Sequence, residues 1–498
     1  MARFLEMNQP TPARNLAELL CDLGRVLRRR VHLGAGTKRS SDEARPAEAN
    51  IEAFTPYQPP WFAGAAWGTL LCAAYPLLIL TPLALFAVVS PNSHHAPVVE
   101  VAVDCAVVAF TILALQFVIS ARLRWVEAPF GLDVVLRFHR TMAFVAAGLL
   151  CIHPLLIASG ESWGLLTRWR VHWPIWAGRL ALLLLAAHVA AAIFRRVLRL
   201  RYETWRHVHN VFAFLLLGLA FSHSVALGHD FDSMSARIVW AALPLIALSA
   251  WLYGRLVRPW LLGRESYRVV SIASEAPQVW TLTLQAPVNR PLHYAPGQFQ
   301  FLRAHRSSVL AEEHPFSIAS SPAPGGRISL TIKESGDFTS TIGRIKAGDR
   351  VAVHGPFGRF SHVFHPEADD LVFVAAGIGI TPLMSMLRYM RDRQDTRRVL
   401  LVYANRGVAD MVFRSELEQI ESGGFPALTT IHILSRPPAD WVGRTGRLDT
   451  ECLSSLCGGF SGKAFFICCP PIMASALIRG LRNARVGPER IHADYFGL

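Results

Sequence analysis

The chain runs to 498 residues, 52% of them hydrophobic, with a mean hydropathy of +0.31, so it can hold several domains and is too apolar for an ordinary soluble protein. Its formal charge of +14 would suit a nucleic-acid binder, but the surplus is mostly Arg beside apolar spans, which speaks for membrane topology and against nucleic acid. Eight cysteines form no CxxC pair and no iron–sulfur spacing, so they read as reduced thiols.

Residues 1–58 read as an amphipathic segment followed by linker. Within them, residues 15–31 have helical spacing with Arg25, Arg28, Arg29 and Arg30 toward one end. This stretch either lies on an anionic cytoplasmic leaflet or is a weakly ordered tail, and it lacks the apolar core and cleavage site of a signal peptide.

Six apolar spans follow within residues 59–260, at 64–90, 98–120, 137–158, 174–195, 206–226 and 236–257, each near the ~20 residues a helix needs to cross the hydrocarbon core. Arg122, Arg124 and Arg137 lie between spans two and three. Arg195, Arg196, Arg199, Arg201 and Arg206 lie around the loop between four and five, and Arg255, Arg258 and Arg264 close span six. The opposite loops hold only Arg168 and Arg170. The basic loops mark the inner side, which predicts an integral protein of the plasma (inner) membrane with both termini cytoplasmic.

Ionisable residues inside spans are rare and usually functional. Span three carries His139 and His153, span five His209 and His223, each pair fourteen residues apart. At ~100° and ~1.5 Å per residue the second imidazole returns to within ~40° of the first, about 21 Å along the helix. Spans three and five run in the same direction, so His139 and His209 share an inner level and His153 and His223 an outer one. Two facing imidazoles fill both axial positions of a haem iron, an arrangement suited to electron transfer. The competing reading, four satisfied helix contacts, is disfavoured by the matched spacing and by the cost of polar groups in lipid. His188, alone in span four, is a helix-contact residue or has an unassigned role. Arg140, Arg206 and Trp205 lie at the inner interface, where guanidinium groups could pair with haem propionates. Arg179, in the outer part of span four, needs an anion, either an outer-haem propionate or an acceptor, or a snorkelling route. His172, Arg168 and Arg170 read as interfacial.

From Tyr267 the pattern changes. YRVVSIA, VWTLTLQA, QFQFLRA, RISLTIKES and DRVAVHG alternate apolar and polar residues between turns, predicting an antiparallel β-barrel over 265–366. Over 367–498, three buried strands each lead into a helix, predicting an α/β nucleotide-binding domain. The fold class is a multi-domain membrane protein: an all-α six-helix bundle, then a barrel, then an α/β sheet.

In the barrel, PGQF (296–299) precedes His314, Pro315, Phe316 and Ser317, and Lys333 precedes Gly336, Asp337, Phe338 and Thr339. A flavin needs an aromatic wall, hydrogen bonds to its polar edge and donors for its pyrophosphate. Phe316, Ser317, and Lys333 with the helix start near Thr339 can meet those needs in turn. In the α/β domain, Gly377, Gly379, Thr381 and Pro382 sit in a strand-to-helix turn whose amides can approach a pyrophosphate. Cys468 ends the third strand and lies near a nicotinamide or is an inert core thiol. Ser435, Arg436 and Arg444 are donors suited to a 2′-phosphate, which favours NADPH over NADH.

Together these motifs resemble the superfamily of ferric reductases and NADPH oxidases, over about residues 61–498. The resemblance implies that NADPH, or NADH, docked at Gly377–Pro382 passes hydride to FAD in the barrel. Single electrons then cross two b-type haems, inner (His139, His209) and outer (His153, His223), to an outer small-molecule acceptor, a ferric chelate or dioxygen. It also implies a role for Cys468 at the nicotinamide and for a C-terminal aromatic on the flavin, here Phe496. Three features depart from the family pattern: Cys469 stands where a Gly is usual, Ile157 where superoxide-producing members often carry another His, and no EF-hand loop is present. The rival reading is a redox subunit that reduces a quinone or a periplasmic partner protein. It calls for an outer docking surface, and the outer loops are short. Lipid is the other expected partner, and oligomeric state is left open.

Overall fold

The computed structural model describes residues 57–89, 96–195, 197–199, 202–227, 233–288, 291–304, 313–322 and 325–494. The basic segment at 15–31, Arg196, Arg201 and Phe496 lie outside the described residues. The chain divides into two compact units, one formed mainly by Pro60–Val257 and the other mainly by Arg258–Leu498.

The first unit holds helices α1 (Ala65–Val89), α2 (Pro97–Ser120), α3 (Leu132–Gly160), α4 (Trp173–Phe194), α5 (Tyr202–Leu227) and α6 (Met234–Leu252). All six are long and apolar enough to span a membrane. α3 begins five residues before the expected span, because its first turn carries the Asp133–Arg137 ion pair (2.9 Å), polar residues that extend a helix without adding hydropathy. Large apolar side chains such as Leu77, Leu183 and Ile238 point outward, as lipid permits. The helices meet through small residues, with Ala102, Ala109, Ala146, Ala236 and Ala247 fully buried. Trp240 fills the space beside Phe86 and Phe110, with ring centroids 5.6 and 4.6 Å away, and its indole N–H donates to Ser224 Oγ (2.8 Å). A π turn (Tyr253–Val257) follows α6.

The second unit opens with α7 (Arg258–Arg264). Strands β1 (Tyr267–Ala276), β2 (Val279–Gln285), β3 (Phe299–Ala304), β4 (His314–Ser317), β5 (Arg327–Lys333) and β6 (Arg350–Phe357) form an antiparallel sheet in the order β4-β3-β6-β1-β2-β5. An antiparallel bridge between Ile318 and Leu330 joins its two edges, so the sheet closes. Leu282, Leu284, Leu302, Ile318 and Leu330 pack its interior. The second sheet, all parallel, runs β10-β9-β8-β7-β11-β12, from β7 (Asp370–Ala376), β8 (Arg398–Asn405), β9 (Ala427–Leu434), β10 (Arg444–Thr445), β11 (Ala464–Cys468) and β12 (Ile491–Asp494). Helices α8 (Ile380–Asp392), α9 (Arg414–Gly423), α10 (Thr450–Cys457) and α11 (Pro471–Asn483) connect the strands. Leu383, Met384, Leu387 and Met390 of α8 meet the sheet on one side; Ala474, Leu477 and Leu481 of α11 meet it on the other. This sandwich brings the C-terminal ends of β7, β8, β9 and β11 to one edge, where doubly wound folds bind ligands.

Candidate functional site

In the bundle, α3 and α5 bring His139 against His209 and His153 against His223, with ring centroids 6.4 and 6.3 Å apart. Two imidazoles bound on opposite sides of one iron, with metal–nitrogen bonds of about 2 Å, hold their centroids about 6.3 Å apart. Both pairs stand at that separation. The outer pair is also fixed in tautomer: His153 Nδ1 donates to the Ala102 carbonyl (2.7 Å) and His223 Nδ1 to the Pro174 carbonyl (2.8 Å). A carbonyl only accepts, so each Nδ1 carries the proton and each Nε2 keeps its lone pair for a metal. Gly178 makes room for this, since a Cβ there would lie 2.6 Å from the His223 ring, one turn from Pro174. These residues fit a haem.

The inner pair is held differently. His209 Nδ1 lies 2.6 Å from Nε2 of His188, and Trp205 packs 5.0 Å from the His209 ring. His188 therefore touches a candidate ligand, a role its lone position in the sequence did not disclose. Arg179 Nη2 donates to the Leu165 carbonyl at 2.5 Å and its guanidinium lies over Trp176. A backbone oxygen and a ring face thus provide partners for a charge expected from the sequence to need an anion or a snorkelling route.

In the barrel, Phe338 stacks on His314 (4.1 Å, 16°) and more distantly on Phe316 (6.2 Å, 25°), forming an aromatic group from the two flavin motifs. Pro315 pairs with Phe301 in the β3–β4 ladder. Ser317 Oγ is buried without a hydrogen-bond partner, as expected of a group kept for a flavin edge. Thr339 Oγ1 accepts from Ser335 N–H (2.7 Å), and the Ser340 hydroxyl donates to the Asp337 carbonyl, which shapes the Gly336–Thr339 turn. The helix that starts at Thr339 is a six-residue 3-10 helix. Lys333 Nζ lies 3.7 Å from Asp410 Oδ1, so this cation already has an anionic neighbour from the α/β domain. The residues fit a flavin.

At the end of β7, Gly377 adopts φ +53° and a Cβ there would meet open space, whereas a Cβ at Gly379 would collide with the Cys468 carbonyl. The turn is therefore open on one side and closed by β11 on the other. Thr381 and Pro382 are buried in the first turn of α8. Burial drives the Cys468 thiol well above its ordinary range, with Asp494 adding to the effect, and burial pushes Cys469 up to about 12. Burial therefore favours the protonated thiol at Cys468. The exposed Ser435 and Arg436 follow β9, and Arg444 in β10 pairs with Ile433, so all three stand toward the C-terminal edge. Asn405, 7% exposed, ends β8 at this edge; the sequence reading passed over it because its backbone looks like ordinary strand.

Comparison with known proteins accounts for all three parts. The ferric reductase like transmembrane component matches residues 105–220, an FAD-binding domain residues 265–361 and an oxidoreductase NAD-binding domain residues 373–478. The chain belongs to the ferric reductase and NADPH oxidase superfamily. It is a membrane protein with an NAD(P)H-dependent oxidoreductase module.

Other similarities of this superfamily member each cover about half of the chain. The glycine betaine monooxygenase reductase subunit of Pseudomonas aeruginosa is 28% identical over 48% of the chain, which spans 66% of that relative. The sulfhydrogenase 1 subunit gamma of Pyrococcus furiosus is 30% identical over 47% of the chain and 79% of its own length. Among solved structures, the Amycolatopsis cytochrome P450 reductase GcoB matches 47% of the chain and 69% of its own, at 24% identity and a TM-score of 0.42.

The barrel and the α/β domain of this reductase module are fastened by α8. Ser385 Oγ donates to the Ser320 carbonyl (2.6 Å) and accepts from Gly297 N–H (3.2 Å), while Arg388 Nη1 donates to the Ala319 carbonyl (2.8 Å). Arg388 also forks onto Glu416 and lies over Phe413. Burial would raise the Glu416 carboxyl, but Arg388 and then Arg391 outweigh it and hold the carboxyl below its usual range.

Proposed function

We propose that this chain carries electrons from cytosolic NADPH, or NADH, through FAD and two b-type haems to a ferric chelate or dioxygen on the outer side of the membrane. The observation that carries the reading is the pair of facing-imidazole sites at two levels, each at an iron-compatible spacing and the outer one with both Nε2 lone pairs left available. When bound, the flavin turns two-electron hydride chemistry into single-electron steps and the haems relay single electrons. The chain's own residues position and insulate. His139 with His209, and His153 with His223, would hold the irons. Ser317 would donate to the flavin edge, and His314, Phe316 and Phe338 would wall its ring. The Gly377–Gly379 amides would receive the nucleotide pyrophosphate, with Ser435, Arg436 and Arg444 at the 2′-phosphate, and Gly379 would keep Cys468 beside the nicotinamide.

The test is a spectrum and a stoichiometry. Purified protein should contain one FAD and two haems per chain and develop b-type absorption bands on adding NADPH without air; absence of haem or of flavin refutes the reading. Reduction of a ferric chelate under nitrogen, insensitive to superoxide dismutase in air, selects the metal acceptor, whereas dismutase-sensitive reduction that needs air selects dioxygen.

A further inference from the structure

His188, within α4, is a histidine that the two-level scheme leaves over. Its Nε2 lies 2.6 Å from His209 Nδ1, and the two rings lie 4.3 Å apart at 72°. That nitrogen–nitrogen distance is a hydrogen bond and leaves no room for a metal between them. Among the described residues, no group of three or more His, Cys, Asp or Glu is arranged to hold a metal ion. A hydrogen bond between two neutral imidazoles has a direction. If His188 were the donor, His209 Nδ1 would accept and the proton of His209 would sit on Nε2, closing the ring nitrogen that remains for a metal. If His209 is the donor, its Nε2 lone pair is free.

We infer that His188 is a positioning residue of the inner site: its Nε2 accepts the proton of His209 Nδ1, which leaves the His209 Nε2 lone pair for a metal and enriches it in electron density. This rests on the reading of the four histidines as haem ligands. It also separates the two levels chemically. The outer ligands give their Nδ1 protons to the amide carbonyls of Ala102 and Pro174, whereas His209 gives its own to an imidazole nitrogen, a stronger base. A ligand whose proton is drawn away more strongly stabilises the oxidised metal and lowers its potential. The inner centre is then the better reductant, and electrons run downhill from inner to outer.

The test is a potentiometric titration of the haem bands in full-length purified protein, with haem per chain counted, for the wild type, His188→Leu and His188→Gln. The expected result is a positive shift of the inner potential in His188→Leu, with the outer one unmoved, and return toward the wild-type value in His188→Gln, whose side-chain oxygen restores an acceptor. If His188→Leu loses the inner haem, His188→Gln decides: retention of two haems supports the inference. Unshifted potentials in both variants overturn it, and so does loss of the inner haem from both. Failure of the underlying reading looks different, since His209→Leu would then retain two haems or the wild type would hold none.

Discussion

Ser385 and Gly297 are joined by a single hydrogen bond that ties the nucleotide-binding helix to the flavin motif PGQF. Gly297 N–H donates to the Ser385 hydroxyl, and its φ of +92° and the nearness of Met386 and the Phe360 carbonyl leave no place for a Cβ. Arg388, one turn on, grips Ala319 just beyond the second flavin motif. One rigid helix therefore begins at the nucleotide turn and holds both flavin strands. Replacing Ser385 by Ala together with Arg388 by Met should slow flavin reduction by NADPH about tenfold through lost alignment while FAD content stays near one per chain. Stopped-flow bleaching of the flavin checks this, and an unchanged rate would show that the clasp does not set the alignment.

His223→Leu should remove the outer haem while NADPH-driven reduction of soluble dyes continues, because the reductase residues lie in a different compact unit. Haem counts and dye assays on the same preparation test it. Joint loss of both activities would count against separable modules.

Gly178 and Gly218 give a paired prediction. A Cβ at 178 would press on the His223 ring, whereas one at 218 would meet nothing within 4 Å. Gly178→Ala should displace His223 and lower outer-haem occupancy. Gly218→Ala should leave both haems in place and stabilise the helix by up to about 1 kcal/mol. Equal haem contents in the two variants would refute the packing argument.

Arg436→Ala with Arg444→Ala should raise KM for NADPH about tenfold and leave KM for NADH nearly unchanged, the loss of a charge-assisted phosphate contact. Steady-state kinetics with both cofactors decide it; an equal effect on the two would remove these arginines from the 2′-phosphate.

His362 is fully buried beside Tyr389, and neither ring nitrogen has a hydrogen-bond partner. Burial first and Arg397 second lower its pKa from 6.5 to about 3, against a weaker opposing pull from Asp395 and with His365 adding slightly to the lowering. The folded state keeps this ring neutral while the unfolded chain takes up a proton below pH 6.5. Its stabilising effect is therefore present above pH 6.5 and lost as pH falls, by about 1.4 kcal/mol per unit until the folded pKa is reached. His362→Leu should flatten the fall in unfolding temperature between pH 6.5 and 5, followed by flavin release. Parallel curves for wild type and variant would be the contrary result.

Much of the architecture is legible in the sequence because lipid and sheet each impose a period. Six apolar spans, and strands alternating between Gly and Pro turns, follow from local physics that a single chain displays. The histidine pairing is legible for the same reason, since fourteen residues on a helix bring His153 back over His139. What escaped is contact between elements far apart in the chain. Nothing local to span four tells that His188 reaches His209, and nothing in α8 announces that Ser385 and Arg388 hold barrel carbonyls, because their spacing is that of any amphipathic helix. Arg179 illustrates the same limit: a charge in an apolar span signals that a partner exists without naming the Leu165 carbonyl.

The carbonyl partners of His153 and His223 bear on how this protein can change over generations. A backbone oxygen belongs to whatever residue occupies the position, so substitutions at Ala102 or Pro174 alter a side chain and leave the acceptor in place. His209 is instead bonded to a replaceable side chain, that of His188. A single codon change can therefore remove the partner of His209, whereas the partners of His153 and His223 are lost only if the backbone of a helix is displaced.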